Sequence, residues 1–199
     1  ASFYANSTPL AQQDHGKALR LAQLDPLMRS IQAANPRVAA AYFNTWDSYN
    51  RIYPFFATPE QYPHDMVIPD YNFYYLADAK HNPERKVAWT EVYLDPAGMG
   101  WMLSAVAPVY RGDFLEGVVG LDITIGQMLG EIGELDVPWQ GYAMLVSRDH
   151  NIMALPNAGE ADFGLRELTE YSYAEAVRRE VLKPEDFNLA KRADMQPLL

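Results

Sequence analysis

The sequence predicts an α+β protein in which a five-stranded antiparallel sheet is flanked by helices, with a long N-terminal helix before it and a partial second module after it. Apolar residues recur at helical spacing over residues 9–34. Short segments rich in aromatic and β-branched residues follow, separated by turn residues. A second hairpin pattern comes after residue 140, without the three further strands of the first unit.

Charge and cysteine content exclude several classes of protein. Twenty-six acidic residues against sixteen basic ones give a formal charge of −10, which disfavours binding to nucleic acid or to anionic lipid. The chain has no cysteine, which rules out disulfides, thiolate nucleophiles and cysteine-ligated metals. The four histidines are scattered without the spacing of metal ligands. We therefore expect neither a metal nor another cofactor.

The elements of the first unit follow one another along the chain. Helical patterns cover residues 9–34, 71–81 and 124–135. Strand patterns cover residues 38–43, 49–53, 87–94, 102–110 and 117–124. Gly16 and Pro26 interrupt the first helix, and four prolines within residues 54–70 predict a surface loop. The last three strands are joined by short turns, which makes them antiparallel neighbours.

The remainder of the chain predicts a second unit that opens like the first. A hairpin is expected at 141–156 and a polar helix at 167–182. The predicted division is a helical segment at 1–35, a first module at 36–123, a linking helix at 124–139 and a truncated second module at 140–199.

Three sequence segments, taken with this order of elements, carry a family resemblance. They are "YLD" at 93–95, "APVYRGDFLEGVVGLDI" at 107–123 and "GYAMLVSRDHNIMALP" at 141–156. Together they resemble the double Cache domains, tandem PAS-like (PDC) modules in the extracytoplasmic part of bacterial transmembrane receptors. The chain has no apolar run of about 18 residues that could span a bilayer. The membrane anchor is therefore expected elsewhere in the parent protein.

The resemblance implies a function as well as a fold. It implies a non-enzymatic domain that senses a small molecule in the periplasm, as part of an inner-membrane sensor histidine kinase. A chemoreceptor or a diguanylate cyclase is the alternative parent. We expect the 54–70 loop and the 71–81 helix to close over the ligand, and the N-terminal helix to transmit the shift. Pairing of two chains through their N-terminal helices is a further family expectation.

Relatives that bind amino acids hold the ligand ammonium with aspartates of the Tyr-x-Asp and Gly-x-Asp-Ile motifs. By resemblance, the matching positions are Tyr93, Asp95 and Asp122. An aromatic pair on the preceding helix covers the ligand in those relatives, and Phe73 and Tyr74 are the match.

The chain departs from the relatives at the residue that binds the ligand carboxylate. Tyr71 stands where those relatives have an arginine, and the nearest arginine, Arg85, lies beyond the helix. A carboxylate clamp needs the planar fork of an arginine. The missing arginine counts against an amino acid and favours an amine or another small polar metabolite, and all three remain candidate ligands.

Acidic and aromatic residues also suit a cationic ligand on physical grounds, because carboxylates and ring faces both attract cations. The candidate ligand-binding residues are Asp122, Asp95, Tyr93, Tyr74, Trp89, Phe73, Trp101 and Tyr110. Structural roles remain open: Asp95 as the cap of the "DPAG" turn, Asp122 bonded to backbone, and the aromatic residues as core. A secreted hydrolase that uses the acidic pair and a protein-binding module are the alternatives from other classes.

Overall fold

A seven-stranded antiparallel sheet organises the first two thirds of the computed structural model, which describes residues 1–168 and 173–195. Its strands are β1 (Ser2–Tyr4), β2 (Ala40–Thr45), β3 (Tyr49–Tyr53), β4 (Ala88–Trp89), β5 (Tyr93–Leu94), β6 (Trp101–Arg111) and β7 (Phe114–Thr124). The order across the sheet is β1-β3-β2-β7-β6-β4, and β5 also pairs with β6. The long β6–β7 hairpin therefore lies at the centre, beside β2.

The described part of the chain also contains seven α-helices and a small second sheet. The helices are α1 (His15–Leu21), α2 (Asp25–Ala34), α3 (Thr58–Gln61), α4 (Asn72–Tyr75), α5 (Ile125–Gly133), α6 (Asn157–Phe163) and α7 (Tyr173–Ala176). The second sheet pairs β8 (Leu145–Val146) with β9 (Ile152–Ala154). Within the described residues, no helix combines the length and the apolar composition needed to cross a bilayer.

The fold class is confirmed, but the sheet has seven strands instead of five. Residues 2–4 add an edge strand beside β3, where Phe3 is buried against the ring of Tyr62. The strand predicted at 87–94 is split into β4 and β5, and residues 90–92 between them are not in strand conformation. The added edge strand depends on contacts between segments that are distant in sequence.

The N-terminal helical segment is also shorter than predicted. A 3-10 turn at Ala22–Leu24 separates α1 from α2, so the long helix is two short ones. Pro26 lies in the first turn of α2, where proline is tolerated because the N–H groups there have no helical partner. Pro26 therefore begins the second helix.

The helix predicted at 71–81 is confined to α4. The Asp78 carboxylate accepts hydrogen bonds from the backbone N–H groups of Lys80 (2.9 Å) and His81 (2.8 Å). Such local side-chain bonds compete with helical hydrogen bonds, which explains the turn that replaces the rest of the helix.

The second unit contains the predicted hairpin in shortened form, as β8 and β9. Of the helix predicted at 167–182, the described residues are helical only in α7. Residues 169–172 of that helix, and residues 196–199 of the predicted second module, lie outside the described residues. The division of the chain into modules stays a prediction.

The two faces of the sheet carry different neighbours. On one face, Met28 of α2 packs against Ala41 and Phe43 of β2. Because side chains alternate along a strand, Tyr42 and Asn44 point to the other face. That face is covered by the proline-rich loop and α4, and it holds the candidate site.

Candidate ligand-binding site

A small cavity lies between the sheet and the segments that cover it, with about 20 Å³ of space open to the centre of a water-sized sphere. This is room for about one water molecule. The sheet supplies Tyr42, Asn44, Asn50, Ile52, Tyr93 and Asp122 to its lining. The covering segments supply Tyr62, Met66, Ile68, Phe73, Asp95 and Pro96.

A chain of hydrogen bonds ends at Asp122. Ser104 lies directly opposite Asp122 in the β6–β7 pairing, and its Oγ donates to Asp122 Oδ1 at 2.6 Å. The Tyr93 hydroxyl lies 2.8 Å from Ser104 Oγ. Because the serine proton is directed at the carboxylate, the tyrosine donates to the serine. This chain orients Asp122 Oδ1 from within the sheet.

Asp95 has a structural role and a place in the cavity wall at the same time. Its two carboxylate oxygens accept hydrogen bonds from the backbone N–H groups of Ala97 (2.9 Å) and Met99 (3.0 Å). These bonds close the turn after β5, as the structural interpretation of Asp95 expected. The same side chain is 5% exposed and lines the cavity.

Burial changes the protonation of both acids. It raises the pKa of Asp122 well above the usual range, and repulsion from Asp95 adds to the shift. Burial also raises the pKa of Asp95 to about 6, although its two backbone hydrogen bonds oppose the shift. No residue lining the cavity carries a positive charge. Two buried carboxylates in such a space are costly unless they are protonated or meet a cation from outside.

Four of the predicted site residues line the cavity: Asp122, Asp95, Tyr93 and Phe73. Asp122 bonds to the Ser104 side chain. Phe73 stacks on Tyr71 with ring centroids 5.1 Å apart. Their roles in binding a ligand stay a proposal.

The other four predicted residues lie outside this lining, and their role in binding a ligand stays a prediction. Tyr74 is buried in the core beside the cavity, and Trp89 is 55% exposed because the break between β4 and β5 ends the alternation that linked it to Tyr93. Trp101 packs on the opposite face of β6, with Leu103.

Tyr110 is separated from the cavity by a bulge. The β6–β7 register shifts between Val109 and Tyr110, which re-aims the side chains beyond it. The Arg85 guanidinium lies 4.0 Å from the centroid of the Tyr110 ring and bonds to Gly112 O and Asp113. Arg85 is thereby held at the hairpin end, away from the cavity lining.

Sequence reasoning missed several lining residues. Tyr42 and Asn44 alternate along β2, and Asn50 lies directly opposite Asn44 on β3. A polar side chain at every second position of a buried strand was the available signal. Asn44 fell between the strands predicted at 38–43 and 49–53, and Asn50 was assigned only to a strand. Ser104 was missed because it stands alone among apolar residues.

Solved structures of chemoreceptor ligand-binding domains share this fold. The domain of Pseudomonas aeruginosa PctB in complex with L-Gln matches with a TM-score of 0.55 at 25% identity, over 76% of this chain and 57% of that one. The PctC domain of P. aeruginosa in complex with GABA has a TM-score of 0.55 at 23% identity, over 89% and 72%. The CtaA domain of Pseudomonas fluorescens with L-valine has a TM-score of 0.51 at 22% identity, over 64% and 54%.

In sequence, the chain is 37% identical over 68 residues to the methyl-accepting chemotaxis protein PctB of P. aeruginosa. The match covers 34% of this chain and 11% of that protein. No family model matches the chain. The chain spans little more than half of the PctB and CtaA domains. The antiparallel sheet and these likenesses show that the chain has the fold of the PDC/Cache ligand-binding domains of bacterial chemoreceptors.

Proposed function

We propose that this chain is the extracytoplasmic ligand-binding part of a transmembrane chemoreceptor and that it binds a small cationic amine over Asp122. One observation carries the proposal: two buried carboxylates line a cavity that has no cationic residue in its wall. An ammonium group supplies the missing positive charge. It lowers the pKa of Asp122 and turns a costly buried acid into one half of an ion pair.

The arrangement of the wall suits an ammonium group. Ser104 occupies Asp122 Oδ1 and leaves Oδ2 for a ligand. The rings of Tyr62, Phe73 and Tyr93 stand around the same space, and aromatic faces attract cations by about 0.5–2 kcal/mol as the site is desolvated. The ligand ammonium then receives both charge-assisted hydrogen bonds and contacts with aromatic rings.

An amine fits the site better than an amino acid. Tyr71, at the position that matches the relatives' arginine, stacks on Phe73 and is not part of the cavity lining. Arg85 is held at the hairpin end by Tyr110 and Asp113. A ligand carboxylate would therefore meet two acids without a cationic partner in the lining.

The comparisons support a chemoreceptor better than a sensor histidine kinase. PctB, PctC and CtaA are described as chemoreceptors, and the PctB, PctC and CtaA domains contain L-Gln, GABA and L-valine respectively. We accordingly propose a non-enzymatic sensor in the periplasm, anchored by a part of the receptor outside this chain.

The contact between the cavity and the second unit offers a route for the signal. Glu180 accepts hydrogen bonds from the backbone N–H of Asn72 (3.1 Å) and from the Tyr75 hydroxyl (3.2 Å), both on α4. The Leu94 N–H donates to Val181 O at 2.8 Å. Residues 180–182 therefore contact both the covering helix and the strand before Asp95. A ligand that binds one arrangement of the cavity walls more tightly than another shifts residues 180–182 together with those walls.

The route predicts a change in amide exchange. Glu180→Ala leaves the Asn72 N–H without its acceptor, so exchange in α4 becomes faster by about tenfold. Glu175→Ala, which removes an exposed ion pair with Arg179, serves as the control. Unchanged exchange in α4 would rule out this contact as the link.

Pairing of two chains through the N-terminal helices stays a proposal as well. Leu19 of α1 is 76% exposed and Leu27 of α2 is 57% exposed, which supplies apolar surface for such contacts. Sedimentation of the protein with Leu19→Gln and Leu27→Gln tests it. An oligomeric state equal to that of the wild type would contradict pairing through this surface.

Calorimetric titration with small amines tests the main proposal. We expect binding to the wild-type chain at pH 7, and loss of at least about tenfold in affinity with Asp122→Asn, because the ion pair is gone. Asp136→Asn, at an exposed position, is the matched control and keeps full affinity. Amine binding that survives Asp122→Asn unchanged would overturn the site.

A further inference from the structure

The free space in the cavity sets an upper limit on the size of a ligand. About 20 Å³ is open to the centre of a water-sized sphere, which is room for about one or two non-hydrogen atoms. Three rings enclose this space in mutual contact: the Phe73 centroid lies 6.1 Å from that of Tyr42 and 5.6 Å from that of Tyr93. A longer ligand therefore has to displace a packed ring.

The hydroxyl protons at the acidic end of the cavity are used within the protein. Ser104 Oγ donates to Asp122 Oδ1 at 2.6 Å. The Tyr93 hydroxyl lies 2.8 Å from Ser104 Oγ, and the Tyr42 hydroxyl also bonds to Ser104. Because the serine proton is directed at the carboxylate, both tyrosines donate to the two lone pairs of the serine oxygen. These hydroxyl groups can therefore offer a ligand only oxygen lone pairs.

Asp122 Oδ2 is the strongest acceptor at this end. The side chain is 3% exposed, and within the described residues its only side-chain hydrogen bond is the one from Ser104 to Oδ1. Asp95 adds a second negative charge nearby. A water molecule in this space would have lone pairs that meet further lone pairs, whereas an ammonium ion has only N–H donors.

A metal ion suits the same space poorly. Hard metal cations take six or more oxygen ligands, or a geometry with several carboxylates or histidines. In the part of the chain that the structure describes, no three acidic or histidine side chains come together as such a site. The aromatic rings around the space favour a nitrogen cation instead.

We infer that the ligand is the ammonium ion itself or methylammonium. This inference rests on the proposed function, which places a cationic nitrogen at Asp122. One N–H group donates to Asp122 Oδ2, and the others face the tyrosine oxygens and the ring faces. The ion has the size of the available space and leaves none of its donors facing another donor.

A series of alkylamines of increasing length tests the size limit. In an apolar site with room to spare, each added methylene that is buried tightens binding about fourfold. Here we expect the opposite order. Calorimetry on the wild-type chain at pH 7 should show propylammonium binding at least about tenfold more weakly than the tighter of ammonium and methylammonium. Equal or tighter binding of propylammonium would overturn the inference.

Potassium tests the part played by hydrogen bonds. The potassium ion is nearly as large as ammonium and has the same charge, but it has no N–H group. We expect potassium chloride to bind at least about tenfold more weakly than ammonium chloride under the same conditions. Equal affinity would mean that the site recognises charge and size alone, which contradicts the assignment of the ligand.

A matched pair of variants tests whether the packed rings set the limit. Phe73 and Phe43 are both 7% exposed, but Phe73 lines the cavity and Phe43 lies on the opposite face of the sheet, beside Met28. Phe73→Leu should lower the ratio of ammonium affinity to propylammonium affinity at least about fourfold, because it frees space for a methylene and removes a ring from the cation. Phe43→Leu should leave this ratio within about twofold of the wild type. Equal changes in the two variants, or an unchanged ratio in a folded Phe73→Leu protein, would contradict the inference.

The outcomes distinguish this inference from the proposed function. If longer amines bind as tightly as ammonium and Asp122→Asn weakens all of them, the amine site stands and the size limit fails. If neither ammonium nor any amine binds, the proposed function fails and the inference fails with it.

Discussion

Tyr42 and Gly120 lie directly opposite each other on β2 and β7, and the tyrosine ring occupies the space of a side chain at position 120. A Cβ atom on residue 120 would lie 1.9 Å from Tyr42 Cζ and 2.1 Å from its hydroxyl oxygen. Glycine is therefore required for the ring to lie across the strand and for the hydroxyl to reach the cavity wall.

Gly120→Ala should accordingly damage both stability and binding. Overpacking of a buried site costs about 1–3 kcal/mol in free energy of unfolding, and the displaced ring narrows the cavity. Urea denaturation and calorimetric titration with an amine measure the two effects. Gly126→Ala in α5 is the control, because a Cβ there meets open space and alanine favours a helix by up to about 1 kcal/mol. A Gly120→Ala protein as stable as the wild type would contradict the close contact.

Asp122→Asn should make the ligand-free protein more stable at pH 8 while it weakens amine binding at least about tenfold. The asparagine oxygen still accepts the hydrogen bond from Ser104, and the cost of a buried acid is removed. Since the raised pKa means that burial destabilises the charged form in the folded state, we expect the free energy of unfolding to increase. Asp136→Asn, on the surface, should change it by less than about 0.5 kcal/mol. A stability loss in Asp122→Asn would show that its charge supports the fold.

The titration of Asp95 should appear as a pH-dependent difference in stability. Its pKa is raised from 3.8 to about 6, so the folded protein holds this proton more tightly than the unfolded chain. The stabilising contribution is complete below about pH 4 and is lost as the pH rises through about 6. The total is roughly 3 kcal/mol.

The measurement for Asp95 is the free energy of unfolding of the wild type minus that of Asp95→Asn, from pH 4 to pH 7. Taking the difference removes the contribution of acids such as Asp47, whose pKa is lowered and whose effect has the opposite sign. We expect the difference to fall as the pH rises. If this free-energy difference stays constant or rises with pH, burial does not destabilise the charged form of Asp95.

Lys183, in the segment after α7, forms a buried ion pair with Glu167, in the segment after α6. Lys183 Nζ donates to Glu167 Oε1 (2.5 Å) and to Met153 O (3.0 Å). Lys183→Met leaves the Glu167 carboxylate buried without its cation and should cost about 3–5 kcal/mol in free energy of unfolding. Lys191→Met breaks an exposed pair and should cost less than about 1 kcal/mol. Thermal or urea denaturation measures both variants. Equal losses in free energy of unfolding for Lys183→Met and Lys191→Met would show that burial of the pair does not matter.

Local sequence pattern was sufficient for most of the sheet. The strands predicted at 38–43, 49–53, 102–110 and 117–124 form within a few residues of those bounds, as β2, β3, β6 and β7. Alternation of side chains and the turn residues between strands are properties of neighbouring residues, so they can be recognised without knowledge of the fold. The edge strand β1 could not be predicted in this way, because its pairing with β3 joins residues about fifty positions apart.

The sequence by itself determined the α+β class, the pair of acids at 95 and 122 among aromatic residues, and the absence of an arginine at position 71. Only the tertiary structure decided which aromatic residues stand at the cavity. The break at residues 90–92 and the bulge after Val109 reset the alternation of side chains, which removed Trp89 and Tyr110 from the wall. The tertiary structure also left Asn50 Oδ1 without a partner, because whether a polar atom finds a partner depends on the register of strands and on the loop that buries it.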